Sequence, residues 1–221
     1  MEAVVKVGGS LAEDPTGLKR LCQELSVLAE EYKILIVPGG GTFADTVRKI
    51  DKFYGLSNNA AHKMAILAMD QYALFLLDIT PNSIACYALD EVGNSAKEKM
   101  PIFLPSQHMF REDPLEHSWD VTSDTITAYI ADKLAAKNLI LVTDVDGIFS
   151  EDPQKSQDSK LIQEVSAEEL QEWKKRTSVD KSLPKTLLQS HRDCYVVNGR
   201  YPERIRLILE NKKTVCTHIT V

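Results

Sequence analysis

Residues 4–11 read Val4-Val5-Lys6-Val7-Gly8-Gly9-Ser10-Leu11. The β-branched run predicts a buried strand, and the glycine pair after it predicts a tight turn. Lys6 sits badly in such a strand. Its ammonium is costly to desolvate unless an anion meets it. The stretch therefore poses one question for fold and function together: which anion waits at the end of this strand?

Two later stretches repeat the arrangement. Lys33-Ile-Leu-Ile-Val-Pro38-Gly39-Gly40-Gly41 is a second short apolar run ending in glycines, and Asn138-Leu-Ile-Leu-Val-Thr143-Asp144-Val145-Asp146-Gly147-Ile148-Phe149 is a strand running into a turn. Between them lie helical patterns. Leu18, Leu21, Cys22, Leu25, Leu28 and Ala29 recur at helical spacing within 15–32. Helices are also predicted over 42–53, with Thr42 as a cap, over 57–77, with Ser57 or Asn58 as a cap, and over 122–137. Shorter ones are predicted over 167–175, 184–191 and 201–210. Strands are predicted at Ser83–Leu89, Met100–Pro105, Cys194–Gly199 and Thr214–Ile219, with Lys160–Val165 as a hairpin strand. Strands alternating with helices imply an α/β fold, a three-layer α/β/α sandwich with a mostly parallel sheet. A single domain over 1–221 is expected, with one ligand held by a lobe of residues 1–115 and another by 116–221.

Composition narrows the function classes. The 221 residues are 43% hydrophobic, enough for a sizeable core. Lys and Arg number 26 against 32 Asp and Glu, a net charge of −6 that argues against nucleic acid as a bulk partner. Cys22, Cys86, Cys194 and Cys216 are scattered without a C-x-x-C pair, as expected of reduced thiols in a cytoplasmic protein. No signal peptide is expected, because the first apolar run is short and Glu13 and Asp14 follow it. The apolar stretch 64–79 contains Asp70, Gln71 and Asp78, so no membrane span is expected.

All three glycine-bearing turns fall at the carboxyl ends of strands, where open parallel sheets collect ligands. Glycine lets backbone N–H groups approach an anion, and a helix starting after the turn adds its positive end. Any one cluster also reads as an ordinary βα turn. Two clusters with a misplaced lysine between strands describe a phosphate cradle with Lys6 as its cation. Neither a P-loop nor a clean G-x-G-x-x-G motif is present.

These motifs, in this order, resemble the amino acid kinase superfamily. The residues that carry the resemblance are Lys6-Val7-Gly8-Gly9-Ser10, Pro38-Gly39-Gly40-Gly41, Thr122-Ser123-Asp124 opening a helix, Thr143 to Phe149 with Asp152-Pro153, and Pro184-Lys185. The family's Gly-Thr of the last strand reads Cys216-Thr217 here. The resemblance implies in-line transfer of the ATP γ-phosphoryl group, which depends on positioning and electrostatics. It implies that Lys6 and Lys185 flank the transferring group, with Asp124 between them holding both ammonium groups. Gly8, Gly9, Gly40 and Gly41 are then backbone donors. Gly8, Gly9, Ser10, Thr143, Asp144, Gly147, Phe149, Asp152 and Pro153 fall to ATP. Mg2+ bridges the phosphates mostly through water and phosphate oxygens, with no residue assigned as a metal ligand. A homo-oligomer is also implied.

The acceptor is set by residues 47–75. Arg48, Lys49, Lys52, His62 and Lys63 describe either an anion site or a solvated charged face. Within the superfamily, this stretch and Ser118–Ala131 resemble the small kinases of methanofuran biosynthesis, whose acceptor is a phosphate monoester carrying a furan ring and an ammonium. The resemblance gives Gly39, Gly40 and Gly41 to the acceptor. It gives Arg48, His62 or Lys63 to its phosphate, Trp119 to the ring or the ammonium, and Asp70 or Asp51 to the ammonium. A phosphate monoester, with a second pKa of about 6, is already anionic and needs no general base. Uridylate kinase and a non-catalytic nucleotide- or oxyanion-binding protein are the alternatives within the superfamily.

Overall fold

The computed structural model spans residues 1–221 and describes all of them except 152–154, 157 and 174. Strand β1 (Ala3–Val7) leads through a 3-10 turn (Gly9–Glu13) to helix α1 (Pro15–Glu31) and strand β2 (Ile34–Pro38). Then follow α2 (Gly41–Tyr54), α3 (Asn58–Ile79), β3 (Ser83–Cys86), α4 (Val92–Glu98), β4 (Met100–Phe103) and α5 (Ser106–Glu112). Next come α6 (Ser123–Lys133), β5 (Asn138–Thr143), a ribbon of β6 (Ile148–Phe149) and β7 (Leu161–Ile162), then β8 (Glu164–Ser166) and α7 (Ala167–Gln171). The chain ends with α8 (Leu183–Ser190), β9 (Cys194–Asn198), α9 (Glu203–Leu209) and β10 (Thr217–Thr220).

The main sheet has the order β3-β4-β2-β1-β5-β9-β10-β8. Every neighbouring pair in it is parallel except β9–β10. Strand β1 is central, with Lys6 opposite Val37 of β2 and Leu141 of β5. Successive side chains of a strand point to opposite faces. Ala3, Val5 and Val7 therefore join a core with Leu18, Leu21, Leu25 and Leu28 of α1 and with Ile205 and Ile208 of α9. Val4 joins the opposite core with Ile126 and Ile130 of α6 and with Leu183 and Leu187 of α8. Each buried leucine contributes about 1.5–3 kcal/mol. The result is the three-layer α/β/α arrangement. The same alternation puts Lys6 on the α6 side, which is what builds the site.

Several boundaries differ from the sequence expectation. Helix α6 stops at Lys133 rather than 137, because Ala135 adopts a left-handed φ of +46°. Thr42 does not cap α2; Gly40 occupies that position and Gly41 has φ +52°. Ser57 does cap α3, accepting from the Ala60 N–H at 3.2 Å. The stretch 160–165 divides at Gln163. Its first part pairs antiparallel with β6, and the next residues pair parallel with β10. The short helices α4 and α5 and the 3-10 turn carry too little periodicity to be seen in the sequence.

Candidate active site

Lys6 is 9% exposed, and its Nζ lies 2.9 Å from Asp124 Oδ1. Asp124 is the second residue of α6, where the helix dipole favours an anion. The anion demanded by the opening strand is thus a side chain of this same chain. Asp124 is not shared with a second lysine, however. Its Oδ2 accepts the Asp180 backbone N–H at 3.1 Å. Lys185 is exposed on α8 and does not line the cavity described below; among the described residues no ion pair joins it to Asp124. Of the two lysines expected around this carboxylate, the structure brings Lys6 to Asp124 and leaves Lys185 on the exposed face of α8.

Asp180 was not anticipated. Its Oδ2 accepts the Thr122 N–H, the Thr122 hydroxyl and the Thr125 N–H at 2.8, 2.9 and 3.0 Å. Its Oδ1 accepts the Thr125 hydroxyl at 2.6 Å and the Leu183 N–H at 2.8 Å. Burial, then the neighbouring Asp124 carboxylate, push its pKa up against those donors. An aspartate three residues ahead of Leu183, with Pro184 next, is a readable start signal for α8. Its reach to α6, 55 residues away, has no local signal.

The glycine turns touch one another. A Cβ on Gly9 would lie 2.1 Å from the Gly41 nitrogen, so the two turns close together only as glycines. Not all of their N–H groups are free to bind an anion. The Gly8 N–H is spent on Val142 O at 2.9 Å and the Gly39 N–H on Val7 O at 2.8 Å, extending the sheet by one rung on each side of β1. Gly8 and Gly39 thus hold the turns in place, while Gly9, Gly40 and Gly41 line the cavity. Gly41 opens α2, whose first N–H groups have no intrahelical acceptor.

That cavity, about 460 Å³, has Lys6 in its wall and draws residues from both halves of the chain. Its lining includes Ser10, Thr143, Asp144, Gly147 and Phe149, all expected. Asp144 Oδ1 accepts the Ser10 and Thr143 hydroxyls at 3.0 and 3.1 Å. Gly147, with φ +152°, lies so close to Thr217 that a Cβ there would meet its Oγ1 at 2.4 Å. Thr217 Oγ1 accepts the Ile148 N–H at 2.7 Å and donates to Ile162 O at 2.5 Å, which pins the β6–β7 ribbon to β10. The close approach here is thus carried by Gly147, with Cys216-Thr217 on the other side. Arg176, Thr177 and Ser178 also line this region, and sequence reasoning missed them in a polar segment without periodicity. Asp152 and Pro153 lie outside the described residues.

Arg48, His62 and Trp119 also line the cavity. Trp119 Nε1 donates to Asp51 Oδ2 at 2.7 Å, and the Arg48 guanidinium lies 4.8 Å from the ring centroid. Asp51 Oδ1 accepts the Leu56 N–H at 3.0 Å, so both Asp51 oxygens are engaged. His62 is stacked on His117 at 4.6 Å. Burial, then the charge of His117, pull its pKa down. Asp70 and Lys63 do not line the cavity. Asp70 holds the Ser106 N–H at 3.1 Å at the start of α5, and burial raises its pKa. Lys63 points over Phe110, 5.9 Å from the ring centroid. Both lie on α3 with His62, but their positions turn them to other neighbours. Among the described residues, no group of three His, Cys, Asp or Glu is placed to hold a metal ion. No helix among them is long and apolar enough to cross a membrane.

Comparison with known proteins finds relatives along nearly the whole chain. Residues 1–198 match the Amino acid kinase family. The chain is 41% identical over 218 residues to the [5-(aminomethyl)furan-3-yl]methyl phosphate kinase of Methanocaldococcus jannaschii, covering 98% of this chain and 96% of that protein. It is 27% identical to the uridylate kinase of Methanothrix thermoacetophila, covering 90% of this chain and 91% of that one. The crystal structure of uridylate kinase from Archaeoglobus fulgidus superposes with a TM-score of 0.77 at 21% identity over the whole of both chains, which establishes the fold.

Proposed function

The chain belongs to the amino acid kinase family, and on that premise we propose that it is an ATP-dependent kinase converting a phosphate monoester to a diphosphate. Its acceptor is [5-(aminomethyl)furan-3-yl]methyl phosphate, the compound for which its 41%-identical relative is named. The observation that carries the kinase reading is the Lys6–Asp124 pair, 2.9 Å long, at a cavity where two glycine turns meet.

In this reading ATP lies at the end lined by Thr143, Asp144, Gly147 and Phe149, with Arg176 and Ser178 beside it. Its terminal phosphate meets Lys6 and the N–H groups of Gly9, Gly40 and Gly41. Asp152 and Pro153 belong to the same site by family resemblance. Lys6 offsets the charge of the migrating phosphoryl group, and Asp124 aims the ammonium. The family also assigns Lys185 to this step, which requires its side chain to turn inward from the exposed face of α8. Mg2+ supplies charge neutralisation when bound. The Asp144 carboxylate in the cavity lining fits a magnesium ion that would otherwise be held by phosphate oxygens and water.

The acceptor lies at the other end, its phosphate toward Lys6, His62 and Arg48 and its furan ring against Trp119. The acceptor phosphate is an anionic nucleophile and needs no general base. The two ligands thus divide between a lobe of residues 1–115 and one of 116–221, meeting at Lys6. The protein acts in the cytoplasm and assembles as a homo-oligomer, expected in light scattering as a multiple of the chain mass.

The test is an assay of purified protein with ATP, Mg2+ and either the furan phosphate or UMP. Formation of the furan diphosphate is expected. Turnover of UMP alone would move the assignment to uridylate kinase. Tight ATP binding with no transfer to either would leave a nucleotide-binding protein without catalysis.

A further inference from the structure

We propose that Asp180 is a positioning residue for phosphoryl transfer, fastening the N-termini of α6 and α8 to one carboxylate and thereby setting the Asp124–Lys6 pair. The proposal rests on the kinase reading above for its consequence on turnover, but its geometry stands alone.

Neither helix has a side-chain cap of its own. Thr122 precedes α6 and Ser182 precedes α8, and neither side chain accepts a hydrogen bond from its helix. Orphan N–H groups at helix starts need an acceptor. Asp180 supplies it to both helices at once, taking the Thr125 N–H of α6 and the Leu183 N–H of α8. The Thr122 and Thr125 hydroxyls complete a shell of five donors between 2.6 and 3.0 Å. A single carboxylate therefore fixes where two helices begin relative to each other.

The consequence runs to Lys6. Asp124 is the residue just before Thr125 and is fixed by the same turn. Its Oδ2 is further held by the Asp180 N–H, leaving Oδ1 for Lys6. Asp180 thus sets Asp124 twice, through its side chain by way of α6 and through its own backbone. It also ends the segment Arg176-Thr177-Ser178, which lines the cavity. Ser178 is anchored by its hydroxyl to Gly147 O at 3.0 Å. One residue therefore ties the Lys6 cation to a second part of the cavity wall. Phosphoryl transfer is sensitive to such placement, and a misplacement of about 1 Å can cost about 100-fold in rate.

The experiment compares Asp180→Asn, Thr125→Val and Thr125→Ser with the unaltered protein. Asp180→Asn keeps the size but turns an amide NH2 toward N–H donors. The expected result is a kcat lowered by about 100-fold with the KM values for ATP and acceptor unchanged. Thr125→Val should lose part of the rate and Thr125→Ser should restore it. The second readout is the Lys6 ammonium signal in nitrogen-detected NMR of lysine-labelled protein, which needs no turnover. It should move in Asp180→Asn and Thr125→Val and return in Thr125→Ser. A lowered melting temperature with unchanged kcat and an unmoved Lys6 signal would overturn the proposal and leave Asp180 a structural cap. If Asp180→Asn does not fold, the Thr125 pair decides. If the unaltered protein turns over neither acceptor, the kinase reading falls, while the Lys6 signal still decides whether Asp180 positions the pair.

Discussion

Lys6 and Asp124 are each tolerated in the interior because of the other. Their side chains are 11% and 8% exposed, and removing one strands the other's charge. Breaking a buried pair from one side costs about 3–5 kcal/mol, whereas replacing both partners is often near neutral. Lys6→Met should therefore lower both urea stability and turnover, the latter by about 100- to 1,000-fold if Lys6 stabilises the transferring group. Adding Asp124→Asn to Lys6→Met should recover stability and leave turnover lost. Recovery of both would show that Lys6 is only a buried ion-pair partner. Trp119 gives a second residue-level prediction. Its indole N–H is fixed by Asp51 and one side of its ring is attended by Arg48. Trp119→Ala should raise the acceptor KM by about 10-fold, from a lost ring or cation contact of about 1–2 kcal/mol, with the KM for ATP unchanged. A change confined to the ATP KM would put the acceptor elsewhere.

At the scale of elements, the site is made of starts: α2 begins at the glycine turn, α6 at Asp124, and α8 at the Asp180 cap. Helix α5 matters in another way. It carries His108, 8% exposed, whose two ring nitrogens have no hydrogen-bond partner among the described residues. Its ring lies against Phe103 and Tyr129. Burial pulls its pKa below the usual 6.5, and Arg111 and Lys133 add to this while Glu112 opposes it. The direction fixes the sign. Above pH 6.5 the imidazole is neutral in both folded and unfolded chains. Below it, the unfolded chain takes up a proton that the folded one resists, so stability falls until the lowered folded pKa is passed. His62 shifts in the same direction and adds to the loss. Urea unfolding should show lower stability at about pH 5.5 than at about pH 7.5. His108→Phe should flatten that dependence, and an unchanged slope would exclude His108 as a contributor.

At the scale of the whole molecule, the proposed function gives both ligands to the cavity at Lys6, whose wall draws residues from both halves of the chain. A ligand bound there should stabilise the folded chain as a unit. At 100 times its Kd, an ATP analogue should add about 2.7 kcal/mol in a single unfolding transition. Two transitions, only one of them shifted, would mean that the lobes unfold separately. A mostly parallel α/β sheet and the glycine turns at its strand ends were legible in residues 4–11, 33–41 and 138–149, because period and turn chemistry are local, whereas the strand order with β1 at its centre was not. A lysine in a buried strand also announced that an anion must meet it. That Asp124 is this anion was implied by the family resemblance alone and is met by the 2.9 Å pair with Lys6; what else Asp124 holds was not legible. Asp124 and Asp180 are brought to Lys6 by the packing of α6 and α8 on one face of the sheet. Asp70 and Lys63 are carried away from the cavity by the rotation of α3, and Lys185 by the exposed face of α8. The sequence alone determined the sheet, its turns and the need for a counter-charge, since each depends on neighbours along the chain. Only the tertiary structure decided that Asp180 holds Asp124 and the start of α6, and which side chains share the cavity, since hydrogen bonds between residues 55 or more apart have no period to betray them.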